Sequence, residues 1–142
     1  MQLELLSGSD MRAELEEIKE KFAGKLIGNL RMQRLVCETL LSFPEKIVNQ
    51  VTISCWFVSS FDDAWGFTLA GKELGGNHLI FLSDELFDQD YNQQNYTVAH
   101  EIGHVILKHR NAILEPQSKA EIAQQEEEAD QFVKKYLPVF SK

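Results

Sequence analysis

The chain has 142 residues, enough for one domain with a modest hydrophobic core. Its 22 acidic residues outnumber its 14 basic residues, and the formal charge of −8 argues against a broad nucleic-acid-binding surface. No apolar run approaches the roughly 20 residues that span a bilayer, and the acidic N-terminus lacks a signal-peptide pattern. Cys37 and Cys55 have no C-x-x-C spacing and are expected to be buried, reduced thiols, with a disulfide between them as the alternative. These features predict a cytoplasmic protein that does not associate with membranes.

The first third of the chain is predicted to be helical. Apolar residues recur at helical spacing from Asp10 to Phe22, and a second helical stretch covers about 29–41. Pro44 can occupy the first turn of a short third helix. These segments carry mixed charges and no DNA-reading signature. We interpret residues 1–50 as a helical scaffold within a single domain that covers 1–142.

After residue 50 the hydrophobic period changes to that of β-strands. Apolar Val51, Ile53, Cys55 and Phe57 alternate with other residues, as in a half-buried strand. The expected strands are VTISCWFV (51–58), WGFTLA (65–70) and HLIFLS (78–83), joined by an acidic turn at 61–63 and a glycine-rich turn at 71–77. A small sheet of three or more strands is therefore predicted, and 51–142 should combine this sheet with the helices that follow it.

Two further helices are expected in the last third of the chain. The first covers about 92–109. The second covers about 118–137, because Ser118 and Glu121 form a capping box at its start and Pro138 follows its end.

The first of these helices contains the pattern H-E-x-x-H. His100 and His104 are four residues apart, so their Cβ atoms stand about 5–6 Å apart on one helix face, where two imidazoles can bind one ion. Zinc accepts neutral imidazole, and a catalytic zinc site uses three protein ligands and one open position. Glu101 points about 100° further round the helix, where it can act as the general base on a zinc-activated water. The alternative is a polar stripe on a helix whose opposite face packs into the core, and that arrangement needs no third ligand.

The last helix offers a third ligand. Its apolar residues at 122, 129, 133 and 136 leave a gap at Glu126, which predicts that this carboxylate faces the core side. A carboxylate buried without a partner is costly, and a metal ion is a suitable partner. Glu127 and Glu128 are interpreted as solvated, although each remains an alternative ligand.

Two polar residues near the proposed ligands have their own interpretations. Asp130, four residues after Glu126, can accept the second N–H of a ligating histidine and so fix its ring orientation. The alternative for Asp130 is a surface ion pair with Lys134. His109 follows His104 by five residues and, on a continued helix, is rotated about 140° away from it. His109 is therefore not expected to bind the ion.

The segments YTVAHEIGHVILKH and EEEADQFVKKYLP resemble the metal motifs of the minimal gluzincin metallopeptidases, most closely the ImmA/IrrE-like family. The resemblance covers about 65–137 and includes the apolar strand HLIFLS ahead of the H-E-x-x-H helix. It implies an α+β, zincin-like fold with helices on one side of a small twisted sheet. It also implies Zn²⁺ held by His100, His104 and Glu126, with Glu101 as the catalytic base.

The same resemblance implies cleavage of an intracellular protein or peptide substrate, such as a transcriptional regulator. The competing hypothesis is a non-catalytic zinc-binding protein with a regulatory or interaction role on the same scaffold. Glu101 argues against that alternative, because a purely structural zinc site needs no general base.

Overall fold

The computed structural model describes residues 8–60, 66–69, 76–109 and 117–137. In chain order the elements are α1 (Gly8–Phe22), β1 (Leu26–Ile27), α2 (Leu30–Leu40), α3 (Glu45–Ser54), β2 (Cys55–Ser60), β3 (Gly66–Leu69), β4 (His78–Ser83), a 3-10 helix (Asp84–Asp88), α4 (Tyr91–Ile106) and α5 (Lys119–Tyr136). The chain therefore has the expected α+β fold. The acidic turn at 61–63, most of the glycine-rich turn and Pro138 lie outside the described residues.

The sheet has four strands in the order β1-β2-β4-β3, which meets the expectation of three or more strands. The strands β1, β2 and β4 are parallel, and β3 runs antiparallel to β4. Ile80 of β4 is in register with Phe57 of β2 on one side and with Thr68 of β3 on the other. The two-residue strand β1 was not expected, because two residues are too few to show an alternating pattern.

The first predicted strand is wrong in its first half. Helix α3 continues to Ser54, and the strand β2 begins only at Cys55. Val51 is buried as part of the helix, whereas Ile53 is 73% exposed and contributes nothing to a strand face. Ile47 and Val51 are four residues apart and both face the core from the same side of the helix. This burial favours the helix more than the period-2 alternation and the β-propensity of the branched side chains favour a strand.

The hydrophobic core joins the N-terminal helices to one face of the sheet. Inward-facing residues of the two central strands are fully buried, and the ring of Phe22 in α1 meets that of Phe57 in a T-shaped contact with centroids 5.7 Å apart. Cys37 and Cys55 are buried free thiols, as expected. Among the described residues, no helix is both long and apolar enough to cross a membrane.

Helices α4 and α5 cross closely and carry the predicted metal motifs. Asp90 caps α4 by accepting the N–H of Gln93 at 2.8 Å, and Ser118 caps α5 by accepting the N–H of Glu121 at 3.1 Å. The inner face of α4 is fully buried in the core, which leaves its histidine-bearing face toward α5. Gly103 lies against the ring of Phe132, so that the two helices can approach without an intervening side chain on α4.

Candidate metal site

The two histidines of the H-E-x-x-H pattern lie on the same face of α4, as the spacing predicts. The rings of His100 and His104 meet edge to face, with centroids 4.9 Å apart. Both side chains are partly buried, and their Nε2 atoms point to the same side as the carboxylate of Glu126 in α5. The fold therefore brings together all three residues that the sequence nominated as ligands.

The carboxylate of Glu126 lies between the two imidazoles. Its Oε2 atom is 2.5 Å from Nε2 of His100 and 3.6 Å from Nε2 of His104. The hydrogen bond to His100, and to a smaller extent the nearby ring of His104, hold the pKa of Glu126 well below its ordinary value. Burial lowers the pKa of His100, but the hydrogen bond to Glu126 and the nearby negative charges outweigh burial and raise it overall.

Glu126 reaches the histidines from a more exposed position than the apolar pattern predicted. Its side chain is 54% exposed, and Ile122, which was expected to extend the buried stripe, is 44% exposed. The core therefore begins at Ala129, and the first two turns of α5 extend beyond it. Glu126 still faces α4, because it lies one turn before Ala129 on the same side of the helix.

Glu101 is buried beside the two histidines, and one donor atom from each of these three residues lies within 4.8 Å of the others. Burial raises the pKa of Glu101, while the hydrogen bond from Thr68 and the neighbouring histidines act in the opposite direction. The hydroxyl of Thr68 in β3 donates to Oε1 of Glu101 at 2.6 Å. Thr68 was not identified from the sequence, where it is one polar residue in a short strand.

Asp130 contacts the site through a tyrosine. Its Oδ1 atom accepts the hydroxyl of Tyr96 at 2.5 Å, and its Oδ2 atom is 3.3 Å from Nζ of Lys134. The ring of Tyr96 stacks on that of His100 with centroids 5.4 Å apart. Nδ1 of His100 is buried and has no hydrogen-bond partner among the described residues. The predicted hydrogen bond from a ligating histidine is not among the described contacts of Asp130, which instead holds the tyrosine that covers His100.

His109 returns to the site although the helical projection placed it elsewhere. Helix α4 ends at Ile106, and Lys108 adopts a left-handed φ of 58° that turns the chain back. The Nδ1 atom of the buried His109 is 2.8 Å from Nδ1 of His104, and its Nε2 atom is 2.7 Å from Oε1 of Glu128. The projection failed because it assumed that the helix continues to residue 109.

The donor set fits a divalent metal ion. Two imidazole nitrogens and one carboxylate oxygen converge from two helices, and this combination of ligands is typical of catalytic zinc. Oε2 of Glu126 approaches Nε2 of both rings, and the buried carboxyl of Glu101 lies beside the two histidines. An α+β fold with this arrangement defines a candidate metallohydrolase.

Comparison with known families is consistent with this class. Residues 63–137, more than half of the chain, match the family model of the IrrE N-terminal-like domain, a peptidase family (M78). The chain belongs to this family, which confirms the resemblance seen in the sequence. No curated protein and no solved structure matches the chain. Membership of a metal-dependent peptidase family supports a peptidase-related role and a His/Glu metal site.

Proposed function

We propose that the protein is a zinc-dependent metallopeptidase of the gluzincin type, built on a zincin-like single domain. The observation that carries this proposal is the convergence of His100, His104 and Glu126 beside the buried carboxyl of Glu101. A structural metal site would not require a buried acid beside its ligands, and burial raises the pKa of the Glu101 carboxyl. Family membership supports the same reaction class.

In this proposal each residue has a defined task. His100 and His104 would hold Zn²⁺ through Nε2, and Glu126 would hold it through a carboxylate oxygen. When bound, zinc supplies a Lewis acid that lowers the pKa of water to about 7 and polarises the peptide carbonyl. Glu101 takes a proton from the attacking water and delivers it to the leaving amine. Thr68 holds Oε1 of Glu101, which fixes the plane of the carboxyl group for that transfer.

The sheet suggests how a substrate is held. Strand β3 is last in the sheet order, and Thr68 within it contacts Glu101 directly. An extended peptide that pairs with this strand would pass beside the general base, as in β-strand addition. We therefore propose a protein or peptide substrate, with a transcriptional regulator in the cytoplasm as the first class to examine.

A Glu101→Gln substitution tests the proposal. The variant should retain one zinc per chain, while peptide cleavage falls by about 10²–10⁴-fold because the base is lost. Glu127→Gln is the matched control, since Glu127 contacts Gln131 on the outer side of α5, and it should cleave like the wild type. Substrates can be found by comparing cellular proteins after expression of the wild type and of Glu101→Gln.

The outcomes separate the two functional hypotheses. If the biological effect of the wild type persists in Glu101→Gln, the protein is a non-catalytic zinc-binding module and the peptidase proposal fails. If the wild type purified after zinc-replete expression contains far less than one zinc per chain, both zinc hypotheses fail. His104→Ala provides the reference for a site that has lost a ligand.

A further inference from the structure

We propose that His109 and Glu128 are positioning residues that fix His104 in the tautomer and orientation needed to bind a metal ion through Nε2. This inference rests on the proposed metal site but not on peptidase activity. It assigns a role to a histidine and a glutamate that the helical pattern had placed outside the site.

The contacts form a continuous chain from the metal-facing ring to solvent. Nδ1 of His104 is 2.8 Å from Nδ1 of His109, whose Nε2 is 2.7 Å from Oε1 of Glu128. The amide of Gln124 donates to the other oxygen of Glu128 at 2.8 Å and steadies the carboxylate. The backbone N–H of His109 also donates to the carbonyl of His104 at 2.9 Å, so the turn itself holds the two rings together.

The chemistry of these groups allows one proton arrangement for neutral rings. An ionised carboxylate only accepts hydrogen bonds, so Nε2 of His109 must carry the proton that Glu128 receives. Nδ1 of His109 then has a lone pair and accepts, which requires the proton between the rings to belong to Nδ1 of His104. The lone pair of His104 is therefore on Nε2, the atom that faces Glu126.

This arrangement prepares His104 before any ion arrives. The other tautomer would present an N–H toward the metal position and would have to exchange its proton before binding. A carboxylate linked to a ligating histidine also fixes the orientation of that ring, here through a second imidazole. His100 differs, because its Nδ1 has no such partner among the described residues and its ring is held by stacking on Tyr96.

Zinc affinity, measured by competition with a chromophoric chelator, tests the proposal without an activity assay. We expect His109→Phe, which preserves a ring but removes both nitrogens, to bind zinc about 10–100-fold more weakly. Glu128→Ala should weaken binding in the same direction and by less, because its side chain is 45% exposed and water can replace it. Glu127→Ala is the control and should bind within about twofold of the wild type, since its carboxylate contacts only Gln131 among the described residues.

Nitrogen chemical shifts of the histidine rings in the metal-free protein give an independent readout. Wild-type His104 should show the Nδ1–H tautomer, and His109→Phe should show a mixture. Wild-type affinity in both variants, or an Nε2–H tautomer of His104 in the wild type, would overturn the positioning role while leaving the metal site intact. A wild-type protein that binds no zinc would overturn the metal site and this inference together. Glu128 is at the surface, so Glu128→Ala should fold normally. Weaker zinc binding by Glu128→Ala would therefore show that the loss in His109→Phe is not only a folding defect.

Discussion

Replacing Gly103 with alanine should lower stability, although alanine favours a helix. A Cβ atom at position 103 would lie 3.0 Å from Cδ2 and 3.2 Å from Cγ of Phe132. The Phe132 ring cannot move away freely, because it is buried and stacks on Phe43 with centroids 5.5 Å apart. Alanine gains about 1 kcal/mol over glycine in helix propensity, whereas overpacking costs about 1–3 kcal/mol. The free energy of unfolding should therefore fall by about 0–2 kcal/mol.

Urea unfolding of the metal-free protein measures this balance. Phe132→Leu provides the matched background, because the smaller side chain leaves room for the new methyl group. In that background Gly103→Ala should be stabilising by up to about 1 kcal/mol. Zinc affinity of the single variant should also fall, since separating α5 from α4 moves Glu126 away from the histidines. A Gly103→Ala protein about 1 kcal/mol more stable than the wild type would refute the reasoning.

Three other predictions follow from burial and charge. Burial raises the pKa of Cys37 to about 11 and that of Cys55 to about 12. Both thiols should therefore react with a disulfide reagent at pH 8 far more slowly in the folded protein than in the unfolded protein. Thr68→Val removes a hydrogen bond that lowers the pKa of Glu101, so NMR titration of the metal-free variant should give a higher pKa than the wild type. In the metal-free protein the interaction between Glu126 and His100 lowers the pKa of the carboxyl and raises that of the imidazole. Glu126→Gln should therefore cost most stability between pH 4.5 and pH 6.5, the ordinary pKa values of the two groups. That cost should stay below about 1 kcal/mol, because the Glu126 side chain is 54% exposed and water screens the interaction. It should decrease as the pH rises through the raised pKa of His100, and urea unfolding at pH 5.5 and 8.5 measures both values.

Much of the fold follows from local patterns, because most elements have one consistent hydrophobic period. The strand over 78–83 is observed as expected, and the ends of α4 and α5 lie within a few residues of the predicted ones. The boundary between α3 and β2 was misplaced because Val51 fits both a helical stripe and an alternating strand. Which pattern governs depends on where the sheet lies, and that is a tertiary property. The 3-10 helix over 84–88 was not predicted either, since its five residues show no distinctive period.

The proposed site shows the same division between local and tertiary information. His100, Glu101 and His104 are related by helix geometry alone, so their grouping follows from spacing. Glu126 was found through the phase of a second helix, although its exposure shows that the core stripe ends before it. Thr68 comes from a strand 33 residues earlier in the chain, and only the packing of β3 against α4 reveals its contact with the base.

The run of three glutamates in α5 illustrates why neighbouring identical residues need not share a role. Successive residues of a helix point about 100° apart, so the carboxylates of the run face three different surroundings. Glu126 meets the two site histidines, Glu127 contacts Gln131 on the outer side, and Glu128 meets His109. The phase of α5 was sufficient to separate Glu126 from the other two. It could not identify Glu128, because the partner of that residue depends on the left-handed turn at Lys108, and no glycine marks that turn in the sequence.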